Sequence, residues 1–463
     1  MEAAKQQQPS LGSHEILPSD VAEPDPKYRA LLEWIWSFSA RKRSAAEMAV
    51  QRAVKLERMY ALLAGLGHPQ ARFPSLLVAG TKGKGSTVAM LSACLRSAGY
   101  RTGRYTSPHL VNWRERTTIG DEPIRASEVL ALAGSVRRAV EGMPASLGAP
   151  TTFEVGTAFA FEQFAQQAVD VAVVEVGTGG RFDATNLVDA QVAVIAPVSY
   201  DHTQTLGATL TSIAWHKAGI MRVQRPAVAA PQAPEALDVL SHEARLLDVP
   251  LQVVGRDWRW SPVAGSTRVT VSGVDFEPLQ VEVGLVGDHQ RDNATASIGA
   301  LHAVRQRFPV DRSALAAGLR SVEWPGRLQV LSQQPLVVLD GAHNGASAEV
   351  VRHALEADFV FERLLLVVGL STGKDALGVL GALASRAEHV YLTRSRHERS
   401  AAPADLEPLV RAASPRASIA TFAEAPSAFD RALAEAGPHD MVLVTGSLFL
   451  VGEALEWWRR SRP

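Results

Sequence analysis

Short runs of apolar residues recur along the chain, and each is followed by a polar turn and a stretch with helical spacing. Residues 76–79, 171–176 and 192–195 read Leu-Leu-Val-Ala, Val-Ala-Val-Val-Glu-Val and Val-Ala-Val-Ile. Apolar and polar positions do not alternate in these runs, and strands of this kind occur in parallel sheets that are covered on both faces. The pattern therefore predicts an α/β fold built around a parallel sheet.

Two regions depart from that pattern. Ahead of the first run, apolar residues recur at helical spacing from Tyr28, and a second helix is predicted over residues 53–66. Residues 267–272 and 279–283 alternate on either side of a turn. This alternation predicts a β-hairpin.

The chain has a junction at residues 323–327, where a Pro-Gly pair interrupts any helix or strand. The apolar runs restart beyond it, at residues 336–339, 364–368, 390–392 and 441–444. A single core rarely grows beyond about 250–300 residues, so a chain of 463 residues is expected to form two domains.

The predicted organisation has four parts. They are a disordered tail over residues 1–27, a large α/β domain over 28–322, a linker over 323–327 and a smaller α/β domain over 328–463. Ligands of such folds bind beyond the carboxyl ends of the strands. We expect the site to lie there, between the two domains.

Composition narrows the functional classes. Lys and Arg number 47 and Asp and Glu 48, so the net charge of −1 gives no general attraction for nucleic acid or an anionic membrane. No apolar run reaches the ~18 residues of a membrane span, and the polar N-terminus does not read as a secretory signal. The single cysteine, Cys94, lies among apolar residues and is expected to be a small buried side chain. We expect a cytoplasmic protein.

A glycine-rich loop follows the first apolar run. Residues 80–87 read Gly-Thr-Lys-Gly-Lys-Gly-Ser-Thr and precede a predicted helix over residues 88–97. Glycines allow backbone N–H groups to approach phosphate oxygens, and the helix N-terminus favours an anion. Lys84 can bridge the β- and γ-phosphates, although the spacing is not that of a regular Walker A motif. The alternative is a strand-to-helix turn without a ligand.

The loop is the first of a series of segments that together resemble the folylpolyglutamate synthase/dihydrofolate synthase family, a branch of the Mur-ligase superfamily. Residues 175–186, for example, read Glu-Val-Gly-Thr-Gly-Gly-Arg-Phe-Asp-Ala-Thr-Asn. The other segments are residues 105–110, 115–116, 122–124, 152–154, 201–203, 217–220, 289–290, 293–294, 325–327 and 340–344. The resemblance implies a Mur-ligase-like fold, with a large P-loop-type nucleotide-binding domain and a smaller Rossmann-like C-terminal domain.

The resemblance also implies a magnesium site at Ser107, Glu175 and His202. Glu175 closes an otherwise apolar strand, where a buried carboxylate is costly unless it is paired or coordinated. A salt-bridged or capping role is the alternative. His202 alone reads as a structural histidine, and histidine is an unusual ligand for a hard cation. Its assignment as a ligand therefore comes from the resemblance.

Lys217 is a second residue whose role comes from the resemblance. By itself it reads as an exposed helix lysine. It matches the lysine that these ligases carry as a carbamate, which would turn a cation into a carboxylate beside the metal. With Lys84, Glu175 and His202 it completes the predicted catalytic set.

The predicted ATP-binding residues include Arg327, whose planar guanidinium suits phosphate. Asn293 can bind a purine edge or cap a helix, and Asp340 can bind ribose or metal-bound water or simply end a strand. The predicted set is Gly83, Lys84, Gly85, Ser86, Asn293, Arg327, Asp340 and His343. Family members usually have proline after His-Asn, where this chain has Gly345, so a looser loop is expected at His343.

The predicted folate or dihydropteroate pocket rests on three segments that resemble those of the family. Phe153 and Phe182 could stack on a flat heteroaromatic ring or could be ordinary core residues. The predicted substrate-binding residues are Leu56, Glu57, Arg58, Thr152, Phe153, Glu154, Phe182, Asp183 and Ala184. Four residues at the ends of C-terminal strands, which could meet glutamate or nucleotide, stay unassigned: Ser371, Lys374, Arg394 and His397.

The activity implied by the resemblance is ATP- and magnesium-dependent addition of L-glutamate to a folate through an acyl phosphate. Addition of glutamate to dihydropteroate is a second activity that the same framework could carry. Two alternatives stay open: a Mur-type amide ligase for a cell-wall precursor, and a nucleotide-binding regulator without turnover. The expected partners are small molecules, and we expect a monomer.

Overall fold

The computed structural model describes residues 25–40 and 54–461. The predicted tail, residues 1–27, lies outside the described residues except for its last three, and the first helix begins at Pro26. The helices are α1 (Pro26–Ala40), α2 (Lys55–Gly65), α3 (Lys84–Ser97), α4 (Ala126–Glu141), α5 (Thr152–Gln166), α6 (Thr203–Leu206), α7 (Leu210–Ala218), α8 (Pro234–Leu246), α9 (Asp288–Ala303), α10 (Arg312–Ser321), α11 (Gly345–Asp358), α12 (Ala376–Leu383), α13 (Pro403–Ala413), α14 (Ala425–Glu435) and α15 (Leu448–Ser461).

Strands alternate with most of these helices. They are β1 (Ser75–Ala79), β2 (Thr102–Tyr105), β3 (Thr117–Ile119), β4 (Glu122–Pro123), β5 (Val171–Glu175), β6 (Ala190–Ile195), β7 (Ala227–Ala229), β8 (Leu251–Val253), β9 (Trp258–Pro262), β10 (Val269–Gly273), β11 (Phe276–Val281), β12 (Gln329–Gln333), β13 (Leu336–Leu339), β14 (Leu364–Val368), β15 (His389–Leu392), β16 (Ser418–Thr421) and β17 (Met441–Thr445). The α/β class predicted from the sequence is confirmed.

The chain forms two compact units. The first contains the described residues up to 84, together with 99–108 and 114–251, and the second contains 85–98, 109–113 and 252 onward. The domain boundaries predicted at residues 323–327 stay a prediction.

The first unit is built on an eight-stranded sheet in the order β4-β3-β2-β5-β1-β6-β7-β8. Strand β1 is central and pairs in parallel with β5 and β6, whose residues are all buried. The unalternated apolar runs are therefore explained by burial on both faces. At one edge, β3 pairs antiparallel with β2, and β4 pairs antiparallel with β3.

The second unit has a small antiparallel sheet in the order β11-β10-β9. Val269 lies opposite Val281 in the β10–β11 hairpin, which confirms the predicted hairpin. Helix α3, which begins with Lys84 of the first unit, continues in this unit with its cysteine fully buried. A Cβ added to Gly318 of α10 would lie 2.5 Å from Cys94 Cα, so the two helix backbones are in close contact.

A six-stranded sheet in the order β12-β13-β17-β14-β15-β16 completes the second unit. All neighbouring strands pair in parallel except β12, which is antiparallel to β13. Its strand residues alternate between two cores, so that Val338 and Leu366 enter one and Val337 and Leu365 enter the other. The sheet is thus covered on both faces, as predicted for the C-terminal runs. In the described part of the chain, no helix is long and apolar enough to cross a membrane.

Candidate active site

The glycine-rich loop leaves β1 at Ala79 and enters α3 at Lys84. Gly83 has a φ of 79°, a left-handed conformation that glycine adopts without strain. A Cβ added to Gly80 would lie 2.6 Å from the Cβ of Ala196, so the loop also passes close to the end of β6. The predicted strand, glycine loop and helix are all present, although the helix begins four residues earlier than predicted, at Lys84.

Thr81 ties this loop to the segment that leads to His202. Its backbone N–H donates to the carbonyl of Pro197 at 2.9 Å. Its hydroxyl donates to the carbonyl of Ser199 and accepts from the Ser199 N–H, both at 3.0 Å. Thr81 had no predicted role, because its partner lies 118 residues away in the sequence.

Lys84 and Glu175 come together at the carboxyl ends of two neighbouring strands. Lys84 Nζ lies 3.9 Å from Glu175 Oε1, and Glu175 is 4% exposed. The Ser107 N–H donates to Glu175 Oε2 at 3.2 Å. Three predicted site residues are thus brought together, and the alternative of a salt-bridged Glu175 is realised in part by Lys84.

His202 is exposed and has a left-handed backbone with a φ of 50°. Its Nε2 lies 3.9 Å from Oδ1 of Asp201, whose other oxygen is 3.8 Å from Lys82 Nζ. Among the residues that the structure describes, no three His, Cys, Asp or Glu side chains gather as a metal site.

Two of the three predicted ligands, Ser107 and Glu175, nevertheless fit magnesium. Protein sites for magnesium bound to nucleotide commonly supply one or two carboxylates and leave the remaining positions to phosphates and water. A buried carboxylate at Glu175 and a hydroxyl at Ser107 supply hard oxygen donors of this kind.

Lys217 is buried rather than exposed, which corrects the reading of this residue as an ordinary surface lysine. It is 3% exposed, and its Nζ donates to the Gly80 carbonyl at 2.7 Å. Burial, reinforced by the charge of Lys84, lowers the pKa of Lys217 to about 7, against the opposing effect of Asp201 and Asp183. A substantial fraction of this amine is therefore neutral, and nucleophilic, near neutral pH.

Asp183 organises the second glycine-rich loop. Its carboxylate is 1% exposed and accepts from the N–H groups of Thr178 at 3.0 Å and Thr185 at 3.1 Å. The Thr185 hydroxyl adds a bond of 2.7 Å, and Lys55 Nζ lies 3.7 Å away. These contacts give Asp183 a structural role in shaping the predicted substrate loop.

Arg58 and Glu154 form a buried ion pair. They are 1% and 0% exposed, and Arg58 Nη2 donates to Glu154 Oε1 at 2.7 Å. Glu154 Oε2 also accepts from the N–H and hydroxyl of Thr151, at 2.7 and 3.0 Å, as part of the N-terminal cap of α5. Both charged groups are therefore engaged inside the fold.

The remaining predicted substrate residues differ in exposure. Phe182 is 45% exposed and contacts the rings of Trp215 and His216. Phe153 is half-buried against Gly177, whose added Cβ would lie 2.5 Å from the ring. Thr152 and Ala184 are buried, Leu56 is half-buried and Glu57 is exposed. Phe182 is thus the predicted aromatic residue with the most accessible ring.

In the second unit, Asp340 fixes the loop that follows β13. It is 7% exposed and accepts from the N–H groups of Leu328 at 2.9 Å and Ala342 at 2.8 Å. Burial raises the pKa of Asp340, while Arg327 and these two bonds act against the rise. Arg327 is half-buried, and its Nη1 donates to the Gly326 carbonyl at 3.0 Å.

The loop at His343 is anchored despite the missing proline. His343 Nδ1 is 2.9 Å from the Gly341 carbonyl oxygen. The Gly345 N–H donates to Asp375 Oδ2 at 3.1 Å, a bond that proline could not make. Asn344 caps α11 by accepting from the Ser347 N–H at 2.9 Å. These bonds differ from the looser loop expected from the sequence, because the glycine N–H has a partner.

The unassigned C-terminal residues lie on two joined loops. Ser371 is bridged to Ser400, and the Thr372 N–H donates to the Arg399 carbonyl at 2.7 Å. Lys374 and Arg394 are exposed on these loops, while His397 is buried and stacked on Phe449 with ring centroids 3.8 Å apart.

Two further residues contact the phosphate loop within the second unit. The Gln290 amide donates to Ser86 Oγ at 3.3 Å and accepts from Asn293 at 3.1 Å. A Cβ added to Gly85 would lie 2.7 Å from the Trp324 ring. Gln290 lies in one of the segments that resemble the family, but neither it nor Trp324 had a predicted role, since contacts across more than 200 positions leave no local pattern in the sequence.

Comparisons with known proteins agree with this architecture. A model of the Mur ligase middle domain matches residues 78–301, and one of the Mur ligase glutamate ligase domain matches residues 326–448. A Halobacterium salinarum protein named a probable bifunctional folylpolyglutamate synthase/dihydropteroate synthase is 37% identical over 410 residues. That match covers 86% of this chain, and the chain spans 49% of that relative's length.

Other relatives match over most of both chains. A Bacillus subtilis dihydrofolate synthase/folylpolyglutamate synthase is 33% identical over 410 residues, covering 86% of this chain and 93% of the relative. The Escherichia coli structure described as FolC in complex with DHPP and ADP superposes with a TM-score of 0.83 at 31% identity, covering 95% of this chain and 99% of that one. Since both Mur ligase models fit this chain and the similarity extends across nearly its whole length, the chain belongs to the dihydrofolate synthase/folylpolyglutamate synthase family.

Proposed function

We propose that the chain joins L-glutamate to the carboxylate of a folate in an ATP- and magnesium-dependent reaction. The chain is an ATP-dependent, amide-forming glutamate ligase of its family. The observation that carries the proposal is the approach of Lys84 to Glu175 beside the glycine loop, at 3.9 Å. A cation for phosphate and a carboxylate for a metal are both groups that recur in sites of phosphoryl transfer.

The reaction has two steps. A folate carboxylate oxygen attacks the γ-phosphorus of ATP, ADP leaves, and an acyl phosphate forms on the substrate. The amine of L-glutamate then attacks the acyl carbon, inorganic phosphate leaves, and the amine loses a proton as the amide forms. The chain contributes by positioning the reactants and neutralising charge.

The residue roles proposed here are those that the resemblance to the family implies. Lys84 and the N–H groups of Gly83, Gly85 and Ser86 hold the phosphates, with Arg327, Asp340, Asn293 and His343 completing the ATP set. Ser107, Glu175 and His202 would hold magnesium, which supplies positive charge beside the transferred phosphoryl group. Support for this arrangement is the hard-oxygen donor set at Ser107 and buried Glu175.

Lys217 is proposed to carry a carbamate. The partly neutral amine attacks carbon dioxide, the new N–C bond forms, and one proton leaves, so that a cation becomes a carboxylate. Burial and the lowered pKa of about 7 support the reaction, since the neutral amine is the nucleophile.

The substrate side is also a proposal. Phe182, with its accessible ring, is proposed to stack on the pteridine or benzoate ring. Arg58, Glu154 and Asp183, whose charges are held by buried contacts, are proposed to shape the same pocket. Glutamate addition to dihydropteroate, a monomeric state and a cytoplasmic location stay predictions. The cell-wall and regulator alternatives are disfavoured by the family membership.

The decisive experiment measures ADP release with L-glutamate and either tetrahydrofolate or dihydropteroate. We expect glutamate-dependent ADP release with tetrahydrofolate, and the second substrate tests the second activity. The matched control is Lys84→Ala, which should abolish the release and so exclude a contaminating ATPase. A folded preparation that releases no ADP with any pteridine acid would contradict the proposal.

A further inference from the structure

Three buried polar side chains form a relay from the phosphate loop into helix α9. Ser86, Gln290 and Asn293 are 3%, 1% and 2% exposed. Gln290 Nε2 donates to Ser86 Oγ at 3.3 Å, and Asn293 Nδ2 donates to Gln290 Oε1 at 3.1 Å. Ser86 and Asn293 are both predicted ATP ligands, and Gln290, which connects them, has no role in the function proposed above.

The relay has a direction. Because Gln290 donates to Ser86, its Oε1 faces Asn293 and can accept only from the amide nitrogen of that residue. The Asn293 amide is therefore held with Nδ2 toward the Gln290 side chain and Oδ1 on the opposite side of the amide. Among the described residues, Oδ1 of Asn293 has no hydrogen-bond donor.

The donor and acceptor roles are also fixed at the Ser86 hydroxyl. Its oxygen accepts from Gln290, so its own proton is left to donate elsewhere. A phosphate oxygen needs such a donor. The relay therefore prepares one end to donate to phosphate and the other end to accept from a base.

We propose that Gln290 is a positioning residue that selects the base of the nucleotide by fixing the amide orientation of Asn293. An outward-facing acceptor matches the 6-amino group of adenine and opposes the 6-oxo group of hypoxanthine or guanine. The inference rests on the proposed function, because it assumes that Asn293 faces the base of ATP. A buried polar group left without its partner is a strong source of discrimination between substrates.

The test compares ATP with ITP, whose base carries a 6-oxo group and lacks the 2-amino group of guanine. We expect the wild type to prefer ATP, measured as the ratio of kcat/KM values. In Gln290→Leu the Asn293 amide is free to rotate, and we expect this ratio to fall by about tenfold or more. A purely structural defect would lower both values together and leave the ratio unchanged.

Ser297→Ala is the matched control. The Ser297 hydroxyl is fully buried one turn further along α9 and donates to the backbone carbonyl of Asn293 at 2.8 Å. Its removal deletes a buried hydrogen bond to the backbone of Asn293 and leaves the side-chain hydrogen bonds of the relay in place. The ATP-to-ITP ratio should stay at the wild-type value.

A second variant covers the case in which Gln290→Leu does not fold. Gln290→Glu keeps an acceptor for Asn293 and, when ionised, loses the donor to Ser86. We expect it to keep the preference for adenine while raising the KM for ATP.

An unchanged ATP-to-ITP ratio in folded Gln290→Leu would overturn the inference, as would a wild type that prefers ITP. Loss of the adenine preference in Gln290→Glu would do the same. Calorimetry can compare the affinities for ADP and IDP, and it tests the same preference for adenine without turnover. It therefore separates a failure of this inference from a failure of the ligase activity itself.

Discussion

The side-chain nitrogen of Lys84 lies 3.9 Å from Glu175 Oε1, and the two residues stand at the ends of strands that are direct neighbours in the sheet. Strand β5 delivers the carboxylate and β1 delivers the loop that carries the lysine. Because parallel strands end at the same edge, two side chains 91 positions apart in the sequence come within reach of each other.

Lys84→Ala should abolish ATP turnover while the fold is kept. The side chain is partly exposed, so its loss costs little packing, but it removes the positive charge nearest the phosphates. Loss of one preorganised electrostatic donor typically lowers kcat by about a hundredfold to a thousandfold. Steady-state ADP release and a thermal melt measure the two effects. Lys27→Ala, at an exposed position of α1, removes the same charge and should not affect turnover. Wild-type kcat in Lys84→Ala would reject the assigned loop.

Lys217→Ala should lose activity that small carboxylates such as formate or acetate partly restore. The variant leaves a space beside Gly80 into which a free carboxylate can bring the charge that a carbamate would supply. The measurement is kcat as a function of added carboxylate, with chloride at equal ionic strength as the control. Full activity without an additive would exclude the carbamate.

The buried amine of Lys217 should also make the stability of the fold depend on pH. Its pKa of about 7 in the fold lies below the ordinary lysine value of 10.5, so between these values the unfolded chain binds more protons. The free energy of unfolding therefore rises as the pH increases from about 7 toward 10. Urea unfolding in buffer free of carbon dioxide measures this, and Lys217→Met should show a flatter profile over that range. Identical slopes for the two proteins would contradict the assignment.

Arg58→Met should destabilise the fold by about 3–5 kcal/mol, because Glu154 would be left as a buried charge without its partner. Adding Glu154→Gln should recover much of that loss, since glutamine is neutral and still accepts from Thr151 at the helix cap. The free energies of unfolding of the single and double variants decide the matter. A double variant as unstable as the single one would show that the pair is not the cause.

Phe182→Ala should raise the KM for the folate about threefold to tenfold, the range expected from loss of one aromatic stack. The free energy of unfolding should change little, because the ring is 45% exposed. Phe182→Leu is the conservative comparison and should fall between the alanine variant and the wild type. A KM for ATP that rises equally would indicate a general distortion rather than a lost ring contact.

The positions of the strands were predicted from the sequence more accurately than the contacts between side chains. Every unalternated run became a buried strand within one or two residues of its predicted ends, because burial on both faces leaves a continuous apolar signature. Strand β9 was missed because its alternation of Trp258 and Trp260 with Arg259 and Ser261 is short and ends at Pro262, and its pairing is set by β10.

Site residues were predictable where a motif carries the chemistry and not where tertiary structure sets it. The loop glycines and Lys84 are visible in the sequence. The Thr81 hydroxyl on Ser199 and the burial of Lys217 depend on the return of a distant segment. The pairing of Arg58 with Glu154 across 96 positions was not predicted, and the role of both residues in substrate binding stays a prediction.

The close backbone contact between helices α3 and α10 has a practical consequence for spectroscopy. Cys94 is fully buried there, and burial raises the pKa of its thiol to about 12. Maleimides and other thiol reagents should therefore not react with it, because the sulfur is inaccessible and is not ionised. The natural chain should thus take up no thiol-reactive label. A cysteine introduced at exposed Lys374 would carry a single fluorophore or spin label, and motions during turnover could be followed without first removing any native residue.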